Sequence, residues 1–464
     1  TGGLTEIKSF KNLVYEIFGK DAIAVIETNP YVLLDITYGV DFKKIDKMAL
    51  DLGLASNSDS RIECAIKYSL AIATNNGNTC VEKQNLITFV QNLLDVEPQY
   101  IENNLINLKA RQIIAIENVE QIEWVYLNSL YCCEKNIAEK LITLKQSKNI
   151  KKIKDFEKKF KEEEKKNDIA LSQKQKEAIK TVNENNVCII TGGPGTGKTT
   201  IIKFIIELYK NENKKVVLCA PTGRAAKRMS EATGEEATTI HRLLCLGKTE
   251  ETLGMERVDY QIEPIDCDVI IIDEASMVDV FLMNYILKGL FIGTKIVLVG
   301  DIDQLPSVGP GNVLKDIIGS GAIETIELNE IFRQAAQSQI ITNAHKVNNG
   351  ESFLDVKKEE LEGKLQDFFY INEPNTSKML EDVISLCSGR LKKFGNYDFF
   401  KDIQVLTPTK KGKLGTKELN VELQNALNPM LNQKTNNQEI PQKKQGDRTF
   451  IVGDRVMQIK NNYD

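Results

Sequence analysis

Histidine and tryptophan are nearly missing from this 464-residue chain, which has two of the first and one of the second. Nine cysteines (positions 64, 80, 132, 133, 188, 219, 245, 267 and 387) are scattered, odd in number and without a C-x-x-C pair. Neither a zinc site nor a disulfide framework is expected from them, and a reducing, cytoplasmic setting fits best. No apolar run approaches the roughly 20 residues of a membrane-spanning helix, so no membrane contact is expected. The opening TGGLTEIKSF has no Met, basic leader or apolar signal core, so nothing in it directs export, and a trimmed start is expected. A basic excess is missing too: 60 Lys and Arg against 65 Asp and Glu leave a formal charge of −5. Any contact with nucleic acid must therefore be local, in a groove, because the chain carries no global basic footprint. No internal repeat of fixed period is visible.

What is present is a multidomain globular composition, 42% hydrophobic and 27% charged, in a length suggesting roughly three domains at about 150 residues each. Residues 1–145 carry short apolar-periodic stretches such as KNLVYEIFG and SRIECAIKYSLAIA and are expected to be an all-helical N-terminal domain. Residues 146–168, mostly Lys and Glu of mixed sign, read as a solvated helical connector. From 169 to 326 the texture changes to apolar strands followed by Gly-rich turns: VCIITGG, KKVVLCAPTG, CDVIIIDEAS and TKIVLVGD. Strands alternating with helices predict an α/β fold, a doubly wound parallel sheet whose ligands sit beyond the strand C-termini. A further domain is expected over 327–464, with helical FRQAAQSQIITNAHKVNN, strand-like KDIQVLTPT and a polar loop from Asn428 to Arg448.

The strongest local signal is GGPGTGKT, Gly192 to Thr199, which matches G-x-x-x-x-G-K-[ST] directly after the strand-like VCII. Gly192, Gly193, Gly195 and Gly197, with Pro194 and Thr196 between them, let backbone N–H groups approach phosphate oxygens. The following helix offers its positive N-terminus, Lys198 reaches the outer phosphates, Thr199 holds magnesium, and Thr200 adjoins them. This predicts binding of ATP with Mg2+. Downstream, the run VIII delivers Asp273 and Glu274 to a strand end, where Asp273 supports the metal and Glu274 orients and deprotonates an attacking water. Read without context, that pair would be an ordinary helix-capping Asp and Glu. A third strand, KIVLVG, runs into DIDQLPSVGPG, placing Gln304 at the same edge; an amide cannot titrate, so it suits sensing rather than proton transfer.

LSQKQKEAI, GGPGTGKTT, APTGRAAKRMSE, TTIHRLL, IIIDEASMVD, VGDIDQLPSVGPGNVL and IFRQAAQSQI, in that order, resemble the motifs of superfamily 1 helicases, closest to the RecD-like branch. The match runs from Leu171 to Ile341, and VLTPTKKGKLGTKELNVELQNALNP (405–429) resembles the same branch. The resemblance implies RecA-like motor domains and ATP-dependent 5′ to 3′ movement on single-stranded DNA, including single/double-strand junctions, in repair or recombination, with other subunits of a recombination complex as partners. It further implies that Gln175, with Gln173 as rival, contacts the adenine edge. Arg333 acts as a finger on the terminal phosphate, and Gln304 couples phosphate state to DNA. As a surface residue, Arg333 would be an ordinary ion-pair former.

For DNA, Thr222, Gly223 and Arg224 in one segment and Thr239, His241 and Arg242 in the next offer hydroxyls, backbone N–H groups and guanidinium, which bind phosphates without reading sequence. His241 is equally readable as a buried, satisfied histidine. Residues 246–263 match in position a strand-separating hairpin of relatives. Residues 29–54 resemble a RecD-like helix-hairpin-helix element whose G-x-G turn here reads Gly39, Val40, Asp41; the carboxylate disfavours a phosphate there, so packing or partner contact is expected of this region. Two later motifs of the relatives are not found, so the second motor domain is expected to be incomplete. The rival reading is a non-translocating ATP- and DNA-binding subunit of a larger repair complex.

Overall fold

The apolar periodicity of the first 146 residues resolves into helices α1 (Ala22–Thr28), α2 (Val32–Ile36), α3 (Phe42–Asp51), α4 (Asp59–Asn75), α5 (Lys83–Leu94), α6 (Pro98–Ala110) and α7 (Asn128–Gln146). The computed structural model describes residues 15, 17, 19–36, 41–167, 170–246, 262–330, 337–354, 365–432, 441–446 and 448–457. The N-terminal region is helical as expected, with one correction: it also holds an antiparallel sheet of β1 (Cys80–Glu82), β2 (Ile114–Val119) and β3 (Ile122–Leu127) in the order β1-β3-β2. Glu120 and Gln121 join β2 to β3 with φ of 51° and 70°. Two successive positive φ values make the tight hairpin turn that Asn-Gly usually announces. Neither residue is present, so the turn left no mark in the sequence.

Tyr31, Phe42, Ile62, Ile66, Leu105 and Val125 are central to this region's core. Beside it Arg61, itself buried, holds both oxygens of Asp46 at 2.8 and 2.9 Å, and the Tyr31 hydroxyl donates to Asp46 Oδ1 at 2.6 Å. Gly39 and Val40 of the expected hairpin turn lie outside the described residues. Asp41 caps α3, its carboxylate accepting from the Lys43 backbone N–H at 3.1 Å.

The charged connector forms α8 (Phe156–Asn167), but it is not simply solvated. Ile153 and Phe160 are buried, the Phe160 ring lies 5.1 Å from that of Phe204, and Glu163 accepts from Lys166 at 2.7 Å and Asn211 at 3.2 Å. The spaced apolar residues therefore mark a packed face, and the mixed charges cover the other.

Six strands follow, β4 (Val187–Gly192), β5 (Val216–Ala220), β6 (Ala237–Thr239), β7 (Val269–Ile272), β8 (Lys295–Gly300) and β9 (Glu324–Leu328). They form a parallel sheet in the order β6-β5-β7-β8-β4-β9. Interleaved are α9 (Gln173–Glu184), α10 (Lys198–Lys210), α11 (Gly223–Thr233), α12 (Ile240–Leu243), α13 (Val280–Gly289), α14 (Val313–Gly319) and α15 (Gln339–Asn348). This is the doubly wound, RecA-like fold the sequence predicts. Alternation in the central strands feeds two cores: Ile189, Ile270, Ile272, Ile296 and Leu298 pack with α7 and α13, whereas Cys188, Ile190, Ile271, Val297 and Val299 pack with α9 and α10. Strands buried on both faces read as continuous apolar runs, which is why these were visible beforehand. β9 was not visible, being half-polar and at the edge; because it pairs with β4 from Cys188↔Glu324 to Gly192↔Leu328, the boundary expected between 326 and 327 falls inside a strand. Leu130, Ile137, Leu141 and Leu144 of α7 belong to the same core as the sheet, so that core runs across the boundary expected near 145.

Residues 368–457 cluster separately and are described alone. They hold α16 (Thr376–Ser385), α17 (Leu391–Gly395), α18 (Phe399–Asp402), α19 (Thr416–Leu427), α20 (Pro429–Asn432) and the hairpin of β10 (Gln442–Gln445) with β11 (Arg448–Ile451). The strand-like KDIQVLTPT is instead the end of α18 and a segment without ladder partners among the described residues, and the loop expected over 428–448 contains α20 and β10. Asn428, buried at the end of α19, bonds Asp454 at 2.6 Å and the Val452 carbonyl at 3.2 Å, tying that helix to the hairpin. No helix among the described residues is long and apolar enough to cross a membrane.

Candidate active site

The loop between β4 and α10 must turn sharply from a buried strand into a helix, and its glycines make that possible. Gly195 and Gly197 have φ of 78° and 81°, a left-handed conformation that costs any residue with a Cβ. Thr196, buried, donates to the Gly193 carbonyl at 2.9 Å and keeps the loop arched. Pro194 and Gly195 stand exposed at its tip. Lys198 folds back, its Nζ donating to the carbonyls of Gly192 and Gly193, the second at 3.1 Å. Thr199 and Thr200 occupy the first turn of α10, whose free N–H groups and positive dipole end complete an anion cradle. Gln175 is buried on α9: its Oε1 accepts from Ser172 N at 3.0 Å in a capping box, and its Nε2 donates to the Thr196 carbonyl at 3.4 Å. Gln173, two residues earlier, is exposed, so of the two glutamines Gln175 is the one built into the loop.

β8 lies between β4 and β7, so the loops that follow these three strands emerge side by side at one sheet edge. Asp273 leaves β7 with its N–H on the Cys219 carbonyl at 3.0 Å, and its Oδ1 accepts from Glu274 N at 2.9 Å. Glu274 adopts φ 52° and ψ 41°, a strained backbone for a non-glycine residue, of the kind that clusters at functional sites. Its Oε2 is buried without a partner among the described residues. Burial pushes the Asp273 carboxyl up, while its bond from Glu274 N and the charges of Lys198 and Arg228 pull it down; burial and the neighbouring Asp273 push Glu274 up. Two crowded carboxylates with one unsatisfied oxygen leave excess negative charge beside the cradle, which suits a divalent cation shared with phosphate. Among the described residues no group of three or more His, Cys, Asp or Glu could hold a metal alone. A magnesium site built from Thr199, one carboxylate, phosphate oxygens and water would have that appearance.

Gln304 follows β8 and is exposed, with its Nε2 on Asp301 Oδ2 at 3.1 Å. Asp301, buried, also accepts from Asp303 N at 3.1 Å and contributes to the field at Glu274, so Gln304 is tied to the carboxylate pair through one side chain. The loop ends on the N-terminal region: Gly311 N donates to the Gly77 carbonyl at 2.9 Å.

The two other segments also meet at this edge, because β5 and β6 pair in register from Leu218↔Ala237 to Ala220↔Thr239. Thr222 caps α11, accepting from Ala225 N at 3.2 Å, and Thr239 caps α12, accepting from Arg242 N at 3.2 Å. Each hydroxyl keeps its proton free to donate outward. Gly223, Arg224 and Arg242 are exposed; His241 is half-buried. Arg333 and residues 247–261 of the expected hairpin lie outside the described residues. Arg228, one turn beyond Arg224, acts electrostatically on both carboxylates and was not singled out from the sequence, where it reads as one more surface cation. His345 was also missed. It lies on α15, against Gly193, and nothing local in its sequence signals that contact.

The family model described as the ATP-dependent RecD2 DNA helicase HHH domain matches residues 7–80, and one described as an AAA domain matches 170–368. Over 464 aligned residues the chain is 29% identical to the ATP-dependent RecD2 DNA helicase of Deinococcus radiodurans, covering 96% of this chain and 59% of that protein. The similarity to a RecD-type protein thus runs along nearly the whole chain. It is also 28% identical over 329 residues to the RecBCD enzyme subunit RecD of Mycolicibacterium smegmatis, covering 65% of this chain and 57% of that one. It thus spans less than two thirds of the length of these relatives. The crystal structure of Pif1 helicase from Candida albicans matches at 23% identity over 49% of this chain and 55% of that chain, with a TM-score of 0.31.

Proposed function

We propose that this chain is the ATP-hydrolysing part of a DNA helicase that moves 5′ to 3′ on single strands in DNA repair or recombination. One observation carries the reading. The phosphate cradle, the Asp273 and Glu274 pair and Gln304 follow three adjacent strands, and the Thr222 and Thr239 segments follow the next two at the same edge. The motif order supports the polarity and the pathway, the relative named an ATP-dependent DNA helicase supports the activity, and the relative named a RecBCD enzyme subunit supports partner subunits. Nine free cysteines support a reducing, cytoplasmic setting.

In this reading the loop N–H groups cradle the inner phosphates of ATP, Lys198, released from its own carbonyls, reaches the outer ones, and Gln175 borders the adenine. A magnesium ion held by Thr199, Asp273 and phosphate oxygens supplies charge neutralisation when bound. Glu274 orients water in line with the terminal phosphate and takes its proton, a role that a buried carboxylate of raised basicity suits. Gln304 passes the loss of that phosphate to the DNA-side segments, and Arg333 neutralises charge on the terminal phosphate.

Steady-state ATP hydrolysis with and without single-stranded oligonucleotide tests this. Stimulation by DNA is expected, with a fall of roughly 10²–10⁴ in kcat for Glu274→Gln and loss of ATP binding for Lys198→Ala. ATP and DNA binding without turnover in the unsubstituted chain would instead mark a non-translocating subunit.

A further inference from the structure

His345 is one of two histidines in the chain and lies near the end of α15, far in sequence from the phosphate loop. It nevertheless presses on that loop. A Cβ placed on Gly193 would lie 2.7 Å from His345 Cε1 and 3.3 Å from Nε2, so the imidazole occupies the space a side chain at 193 would need. Nε2 is buried and has no hydrogen-bond partner among the described residues. A buried ring nitrogen without a partner costs free energy, and native proteins seldom tolerate one without a purpose.

The position narrows what that purpose is. The Gly193 carbonyl accepts from Lys198 Nζ at 3.1 Å, so His345 and Lys198 flank the same loop residue. In loops of this pattern the lysine serves the outer phosphates, while backbone N–H groups serve the inner ones. A group beside Lys198 is therefore placed for the outer end of a bound nucleotide. An imidazole with its proton on Nε2 is a donor to a phosphate oxygen, and a bond to an ionised acceptor is among the strong ones.

We propose that His345 contacts the terminal phosphate of a nucleoside triphosphate held in the loop, Nε2–H donating to a phosphate oxygen. The contact of α15 with the loop is thereby strengthened in the triphosphate state and weakened when that phosphate leaves. This rests on the nucleotide reading above and adds a residue that tells triphosphate from diphosphate.

Equilibrium binding of ATPγS and of ADP, each with magnesium, to the full chain decides the matter for the native protein, His345→Ala and His345→Gln. Glutamine carries an amide nitrogen close to where Nε2 lies. The Ala variant should bind ATPγS about tenfold more weakly while ADP affinity stays within about twofold, and the Gln variant should recover most of the loss. Unchanged affinities in the Ala variant, or equal weakening for both nucleotides together with a lowered Tm, would overturn the proposal and leave His345 a packing residue. If the native chain binds neither nucleotide, the nucleotide reading falls and this proposal with it; native binding with an unmoved ATPγS-to-ADP ratio removes this proposal alone.

Discussion

Lys295 has no exposed surface, yet it carries a charge into the middle of the sheet. Its Nζ donates to the Val182 and Asn185 carbonyls at the end of α9, a place where a cation is favourable, but burial pushes its pKa down to about 8. The unfolded chain holds this proton up to roughly pH 10.4. Between those values the unfolded state binds more protons than the folded one, so this lysine's contribution to stability rises with pH. Comparing denaturant midpoints of the native chain with those of Lys295→Met should show the native chain gaining relative stability from about pH 7.5 to 10, by roughly 2–4 kcal/mol. A pH-independent difference would mean that the ammonium is better solvated than its surroundings allow. At this scale the sequence was legible where a residue type answers to a local pattern: Lys198, Thr199, Asp273 and Glu274 all sit where strand-turn-helix spacing puts them. It was illegible for His345 and Arg228, whose roles come from contacts and fields created only when distant elements pack.

The same division holds for elements. The strands β4, β5, β7 and β8 could be read because burial on both faces demands unbroken apolar runs. The β2–β3 hairpin could not, because its turn reaches two positive φ values through Glu120 and Gln121 without a glycine. That choice is costly, since left-handed backbone at residues other than Gly or Asn stores about 1 kcal/mol or more. Replacing Glu120-Gln121 by Asn-Gly should therefore slow amide exchange in β2 and β3 by about fivefold, the equivalent of about 1 kcal/mol. Faster exchange would show that the glutamate and glutamine side chains hold the turn. α8 is a second instance: its mixed charges concealed a face on which Phe160 meets Phe204.

α7 ends the helical N-terminal region, yet its buried leucines lie in the core of the parallel sheet, beside α13, where Asn284 donates to Cys133 Sγ at 3.3 Å. The two regions share apolar contacts and should unfold together. The chain's one tryptophan, Trp124, is on β3 and reports the N-terminal region, whereas far-ultraviolet circular dichroism is dominated by all the helices. The two thermal transitions should coincide, and Leu141→Ala should lower both by an amount corresponding to about 2–5 kcal/mol. Separate transitions, with only one moved, would show that the shared core does not couple them.

The loop carrying Gln304 is moored at both ends. Asp301 anchors the start to the sheet, and the finish is held twice, by Val280 N on the Pro310 carbonyl at 3.0 Å and by Gly311 N on Gly77. Between the moorings Leu305 and Val308 stand 85% and 93% exposed. Were Gln304 to move with the phosphate as proposed, drift of the far end could not absorb the tug, and the displacement would fall, as on a plucked string, on those two bare side chains in the middle.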